Sequence, residues 1–179
     1  IVYSYITDRN GKILAKTSEQ KINLGIRKDV TLKQKANLSN VRLWSVDDPY
    51  LYKVITVVKS DNQIVHQTKT RFGIKNVRFD ANEGFFLNGK HLKIQGTNNH
   101  QDHAGIGSAL PDYLQYYRVK LLKELGCNAY RASHNAPSPE LLEACDSLGM
   151  LVVDEQRLLN SSPEYLDQIK RLIKRDRKH

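Results

Sequence analysis

Residues 1–76 alternate apolar and polar positions in short runs, which is the period of half-buried strands. Ile1-Val2-Tyr3-Ser4-Tyr5-Ile6 opens the chain in this rhythm. Asn10-Gly11 then sits between two alternating runs, the strongest short-range signal for a hairpin. Further strands are predicted near 28–36, 51–58 and 63–72, separated by polar clusters such as Asn37-Leu38-Ser39-Asn40 and Ser60-Asp61-Asn62. Five strands in this stretch predict a β-sandwich of immunoglobulin type, a fold that normally takes about seven. The chain also begins in mid-strand, so the expectation for 1–76 is a sandwich incomplete at its N-terminal side.

From residue 77 the rhythm changes. A second hairpin is predicted over 84–94, again turning on Asn-Gly at Asn88-Gly89. Strand, loop and helix then repeat three times, with strands near 92–97, 127–132 and 150–155 and helices near 111–125, 139–148 and 163–176. The helix starts share one chemistry. Pro111, Pro139 and Pro163 fall at the first helical position with an acid after each, and Ser138 and Ser162 stand ready as N-caps. Gly126 and Gly149 follow the first two helices, where a left-handed residue closes the last turn.

Alternating strands and helices with short connections predict a parallel α/β sheet. A doubly wound sheet would carry a Gly-rich turn after its first strand, and Gly96-Thr97-Asn98-Asn99-His100 does not. An eight-fold barrel uses about 31 residues per unit, so residues 77–179 suffice for a cap and the first three βα units of a TIM barrel.

Composition narrows the function classes. Of 179 residues, 40% are hydrophobic and 26% charged, enough apolar material for a core. No apolar run approaches the ~18 residues of a membrane span, and the first residues lack the basic start of a signal peptide. Cys127 and Cys145 both read as buried thiols rather than a disulfide framework. The net charge of +9 raises the question of nucleic acid. Residues 1–76 carry +8 of it, scattered singly along strands as at Lys33, Lys35, Lys53 and Lys59, with no aromatic-rich reader motif. That distribution describes a solvated sheet face.

In a barrel, chemistry collects at the C-terminal ends of strands. The unusual polar residues fall there: Asn98 to His103 after the first strand, Arg131 to Asn135 after the second, Asp154 to Arg157 after the third. His100, Asp102 and His103 have the spacing of a metal pair but no third ligand. Arg131 could pair with Asp154 or Glu155 across adjacent strands. Asp154 and Glu155 cannot themselves be the two carboxylates of a retaining glycosidase, about 5–5.5 Å apart, because consecutive strand residues face opposite sides. Ser133-His134 makes no triad, since nothing presents the serine on a sharp turn.

These residues resemble glycoside hydrolase family 2, in its bacterial β-galactosidase branch. Leu43 to Tyr52 is similar to the family's "LWSP-x-x-P-x-LY" run, and Arg71-Phe72-Gly73-Ile74-Lys75 to its "RFGFR" strand. Phe86-Leu87-Asn88-Gly89-Lys90 resembles the hairpin that caps the barrel, and Gly96 to His100 the end of its first strand. Asn128 to Asn135 resembles "N-x-x-R-x-SHYP", and Cys145 to Glu155 resembles "CD-x-x-G-x-x-V-x-DE".

The resemblance implies an immunoglobulin-like domain over 1–76 and the N-terminal part of a (β/α)8 catalytic barrel over 77–179. It also implies retaining hydrolysis of terminal β-galactosides in oligo- or polysaccharides by two glutamates. Arg175 to His179 resembles "RDRNHP", the run before the strand that carries the acid/base, so the resemblance assigns neither catalytic glutamate to a residue of this chain. The piece alone is expected to be inactive. What carries over is a sugar-contacting shell: His100, Arg131 and His134 lining the galactose subsite, with Asn98 and Glu155 beside them.

Two positions depart from the family pattern. Asn99 replaces a basic residue before the histidine. The spacing that supplies magnesium ligands in some members falls here on Leu159, Asn160 and Ser161, so no metal and no other cofactor is expected. The alternatives are a β-glucuronidase or β-mannosidase of the same family, or a non-catalytic module for carbohydrate binding or assembly. The expected partner is a β-galactoside carbohydrate, not nucleic acid or a membrane, with self-association through exposed barrel edges. The compartment is left between bacterial periplasm and cytoplasm.

Overall fold

The computed structural model describes residues 1–157 and 160–177. Leu159, where the magnesium comparison begins, and His179, which ends the run from Arg175, lie outside the described residues. The chain forms two compact units. One comprises Ile1–Arg42 and Tyr50–Ile74; the other comprises Leu43–Pro49 and everything from Lys75 onward.

The first unit holds a four-stranded antiparallel sheet of β1 (Val2–Thr7), β2 (Ile13–Lys16), β3 (Tyr52–Ser60) and β4 (Gln63–Phe72), in the order β2-β1-β3-β4. Tyr3 pairs with Val57 and Tyr5 with Ile55, which places Tyr3, Ile55 and Val57 in one buried cluster with Ile1 and Tyr5 against it. The other face is hydroxylic, with Ser4 Oγ 2.9 Å from Thr56 Oγ1. The turn at Asn10-Gly11 closes through the Asp8 carboxylate, which accepts from the backbone N–H of Asn10 and Lys12. Between β3 and β4, Asp61 and Asn62 both have positive φ, the two-residue turn that suits the twist of a hairpin.

The strand predicted near 28–36 does not form. Both edges of β1 are taken by β2 and β3, so this stretch makes no backbone ladder with β1. Residues 31–37 keep an alternating exposure, but they are held by side chains. Ser4 Oγ donates to Gln34 Oε1 at 2.6 Å, and Gln20 Nε2 donates to the Lys33 carbonyl at 3.3 Å. Among the described residues the first unit thus has one sheet where two facing sheets were expected.

The second unit begins with a three-stranded antiparallel sheet of β5 (Val77–Asp80), β6 (Gly84–Leu87) and β7 (Lys90–His91). Asn88 and Gly89 both have positive φ, as the predicted Asn-Gly turn requires. The strand β5 was not anticipated. Parallel strands and helices follow: β8 (Gly96–Asn99), α1 (Asp112–Glu124), β9 (Ala129–Ala132), α2 (Pro139–Leu148), β10 (Leu151–Val153) and α3 (Pro163–Asp176). The order β10-β9-β8 is sequential and parallel throughout.

The first parallel strand lies later than predicted, at 96–99 instead of 92–97, because the hairpin consumes residues to His91 and Leu92 N–H still bonds the Phe85 carbonyl. Ser138 and Ser162 cap α2 and α3, accepting from Leu141 N–H and Tyr165 N–H. In α1 it is Pro111 that occupies the cap position, so the helix starts one residue later than expected.

One face of the parallel sheet packs on the helices. Tyr130 and Ala132 of β9 join Val119, Leu141, Ala144, Cys145 and Met150 in the core. Cys145 is buried as expected, and burial pushes its thiol pKa up. Cys127 is only half-buried, a departure that follows from its place just beyond the end of α1.

Leu43–Pro49 is fixed to this unit by polar bonds to backbone carbonyls. Trp44 Nε1 donates to the Asp146 carbonyl at 2.7 Å, Asn88 Nδ2 donates to the Trp44 carbonyl, and Lys123 Nζ donates to the carbonyls of Val46 and Gly149. Gly149 has φ +75°, and a Cβ there would stand 2.3 Å from the Val46 oxygen. Only glycine fits.

Candidate functional site

The site starts from strand register. Asn98 of β8 and Val153 of β10 both stand opposite Arg131 of β9. Side chains alternate along strands, so Glu155, two residues beyond Val153, returns to the face of Arg131. The contacts follow. Arg131 Nη1 donates to Asn98 Oδ1 at 3.1 Å, and Arg131 Nη2 lies 2.6 Å from Glu155 Oε2. The other Glu155 oxygen is 2.8 Å from His134 Nδ1. The His134 ring in turn stands edge-on to His100, with centroids 5.6 Å apart. All five residues predicted from the sequence therefore form one connected group.

Three strand ends supply this group. Asn98 belongs to β8 and His100 to the loop after it, Arg131 to β9 with His134 just beyond, and Glu155 follows β10. The wall they form is open: 39% of the Arg131 side chain and 55% of that of His134 are exposed, against 23% for Glu155. Glu155 is thus the anchor, with Arg131 and His134 its outward partners. The choice left open in the sequence, Arg131 with Asp154 or with Glu155, goes to Glu155.

Asp154 faces the other way, as strand alternation requires. Its carboxyl is raised to about 6, first because burial disfavours its charge and then because the Asp176 carboxylate lies beside it. Arg175 binds Asp176 through Nε and Nη2 and also reaches the Pro137 carbonyl. Asp154 and Glu155 are therefore not a working pair.

His100, Asp102 and His103 do not converge. The ring of His103 turns to the Ala104 carbonyl, at 3.0 Å, and no cluster of three or more His, Cys, Asp or Glu side chains forms among the described residues. Asn99 folds back on its own strand, its Nδ2 donating to the Thr97 carbonyl at 2.8 Å.

Two positioning residues were missed in the sequence. Arg118 of α1 donates to the carbonyls of His100 and Asp102 at 2.7 and 2.6 Å, and so holds the loop that carries His100. Nothing distinguishes it in sequence from any other helix cation. Asn128 accepts from Gln95 N–H and donates to the Lys93 carbonyl, fastening the approach to β8. Its signal was the opening position of the Arg131 motif, where a side chain that both donates and accepts can bridge two backbone groups.

Chemically the wall offers N–H donors from one guanidinium, two imidazoles and an amide, suited to orienting hydroxyl groups. It holds one carboxylate, and both oxygens of that carboxylate are engaged.

Comparison with known proteins adds the family. Residues 1–75 match the model for glycosyl hydrolases family 2, and residues 79–164 match that for glycosyl hydrolases family 2, TIM barrel domain. A β-galactosidase of Bacteroides ovatus is 37% identical over 155 residues, covering 86% of this chain and 18% of that protein. A β-glucuronidase of Formosa agariphila is 32% identical over 151 residues, covering 83% of this chain and 15% of that protein. The crystal structure of a β-glycosidase from Bacteroides vulgatus superposes with a TM-score of 0.80 at 31% identity, covering 99% of this chain and 24% of that one. The chain spans a quarter or less of the length of these relatives. The matches support an immunoglobulin-like domain followed by the start of a TIM barrel.

Proposed function

We propose that this chain, which belongs to glycosyl hydrolases family 2, supplies one wall of the sugar subsite of a retaining β-galactosidase acting on terminal β-galactosides. The observation that carries the reading is the convergence of Asn98, His100, Arg131, His134 and Glu155 from three successive strand ends. Glu155 holds Arg131 and His134 in fixed orientation, and fixed donors bind a polyol with little further ordering cost. The hydroxyls of a galactosyl ring are the acceptors this wall is built for.

The nature of the wall favours a neutral sugar over a uronate. Arg131, the guanidinium of the group, already faces the Glu155 carboxylate at 2.6 Å, so its charge is not spare for a second one. Retaining hydrolysis needs two carboxyl groups about 5–5.5 Å apart. The single carboxylate of this wall is held on both oxygens, which supports an inactive piece whose catalytic glutamates are contributed by other sequence.

The test is a titration of the 179-residue protein with methyl β-galactoside and methyl β-glucuronide, followed by the ring signals of His100 and His134. Binding of the galactoside in preference, lost in His134→Ala, is the expected result, with no turnover of an aryl β-galactoside. A glucuronide preference would replace the substrate, and turnover abolished by Glu155→Gln would overturn the assignment of Glu155 as an anchor.

A further inference from the structure

Behind the parallel sheet, on the side of Tyr130 rather than Arg131, lies a cavity of about 220 Å³ bounded by the loop after β8, by α1 and by the start of α2. Arg118, Arg175, Gln115, Asn135, Ser138 and Tyr130 are among the residues that line it. No Asp or Glu lines it among the described residues. The lining is rich in donors and poor in anionic acceptors.

Two features say what is missing. Tyr130 is 1% exposed, and its O–H finds no acceptor among the described residues. Arg118 stands within reach to donate to that oxygen, but a guanidinium only donates, so the O–H itself still requires an acceptor. Buried polar groups in folded proteins are nearly always satisfied. Secondly, the charge of Arg118 meets the two carbonyls of His100 and Asp102, and no carboxylate within ion-pair distance among the described residues. Arg175 does have a carboxylate, Asp176, but that residue is not among those lining the cavity. Ser138, the N-cap of α2, adds the positive end of a ten-residue helix.

We propose that this cavity binds a small tetrahedral oxyanion, of the phosphate or sulfate class, accepting from Tyr130 and held by Arg118 and Arg175. Such an anion supplies the acceptor that the Tyr130 hydroxyl lacks and the countercharge that Arg118 lacks. Because Arg118 also holds the His100 loop, the anion and the sugar-facing wall share one side chain. Occupancy then bears on the position of His100 from behind the sheet. The site itself does not depend on the galactoside reading.

The 179-residue protein is titrated with inorganic phosphate, and separately with sulfate, by calorimetry, with chloride at matched ionic strength as the control. The expected result is saturable binding of one equivalent, absent with chloride, weakened about tenfold in Tyr130→Phe and lost in Arg118→Gln. The His100 ring signals should follow the same isotherm. Tyr130→Phe removes one oxygen and leaves the buried ring in place, so the test stays decisive if Arg118→Gln unfolds; a urea titration of the variant checks that it is folded. Preference for sulfate over phosphate, or the reverse, identifies which oxyanion the site takes. No saturation by either anion would mean a cavity filled by water and would overturn the proposal. Binding equal to chloride, or unchanged in Tyr130→Phe, would mean an adventitious ion only and would overturn it as well.

Discussion

Gly96 opens β8 directly opposite Ala129, and the backbones approach so closely there that a side chain has no room. A Cβ on Gly96 would lie 2.0 Å from the Ala129 carbonyl oxygen and 2.7 Å from its carbon. Real Cβ atoms essentially never come within 3.0 Å of such a group, so Gly96→Ala must open the strands by at least about 1 Å. Three bonds sit at that end of the ladder: Asn128 N–H and Ala129 N–H to the Gln95 carbonyl, at 2.8 and 3.1 Å, and Gln95 N–H to Asn128 Oδ1 at 2.8 Å. Stretching two or three of them costs about 1 kcal/mol each. Overpacking adds about 1–3 kcal/mol.

The expected loss is therefore about 3–6 kcal/mol, a large share of the roughly 5–15 kcal/mol that holds a typical domain. Trp44 is the sole tryptophan and is 2% exposed within the same unit, so its fluorescence reports the unfolding in urea. With a denaturant slope of about 2 kcal/mol per molar, the midpoint should fall by roughly 2 M. Gly25→Ala serves as the control, because its nearest neighbour would be an ordinary 3.6 Å away; its change should stay within about 0.5 kcal/mol. A loss below about 1 kcal/mol for Gly96→Ala would refute the idea that this close approach sets the Asn98–Arg131 register.

Two other outcomes follow from the same geometry. Because the Asp154 carboxyl is raised to about 6, its protonated form favours the folded state; that contribution is complete below the unfolded value near 3.8 and is lost as pH rises through about 6. Asp154→Asn should therefore stabilise at about pH 7.5, by about 1 kcal/mol once solvent screening is allowed for, and not at about pH 3; thermal melts showing equal gain at both would contradict the shift. Lys123→Met removes the ammonium that bridges the Val46 and Gly149 carbonyls, and urea titration should show a loss of about 2–3 kcal/mol, with an unchanged midpoint counting against this anchor of residues 43–49.

Much of the site was legible in sequence because its residues sit at strand ends. Asp154 and Glu155 could be placed on opposite faces by strand alternation, but which of them meets Arg131 waited on the register of β9 and β10. The caps at Ser138 and Ser162 and the turn at Asn88-Gly89 were equally readable, since each is a local bargain between a side chain and its nearest backbone. Arg118 was not readable. It acts on His100 and Asp102, 18 and 16 residues away, and a lone helix cation carries no mark of that distance.

The amino-acid order determined by itself the alternation of the first unit, the three strand–helix repeats of the second and the helix boundaries, because these depend on side-chain period and capping within a few residues. Tertiary structure decided everything that depends on which edge is free and what lies behind the sheet. Residues 28–36 have the pattern of a strand but join no sheet, and the Gln34 side chain bonds Ser4 Oγ and the Val2 carbonyl of β1 instead. Tyr130 reads as an ordinary core aromatic until the fold brings Arg118 beside its hydroxyl and leaves that hydroxyl without an acceptor. A hydrogen-bond partner across the chain is set by three-dimensional proximity, and no one-dimensional period encodes it.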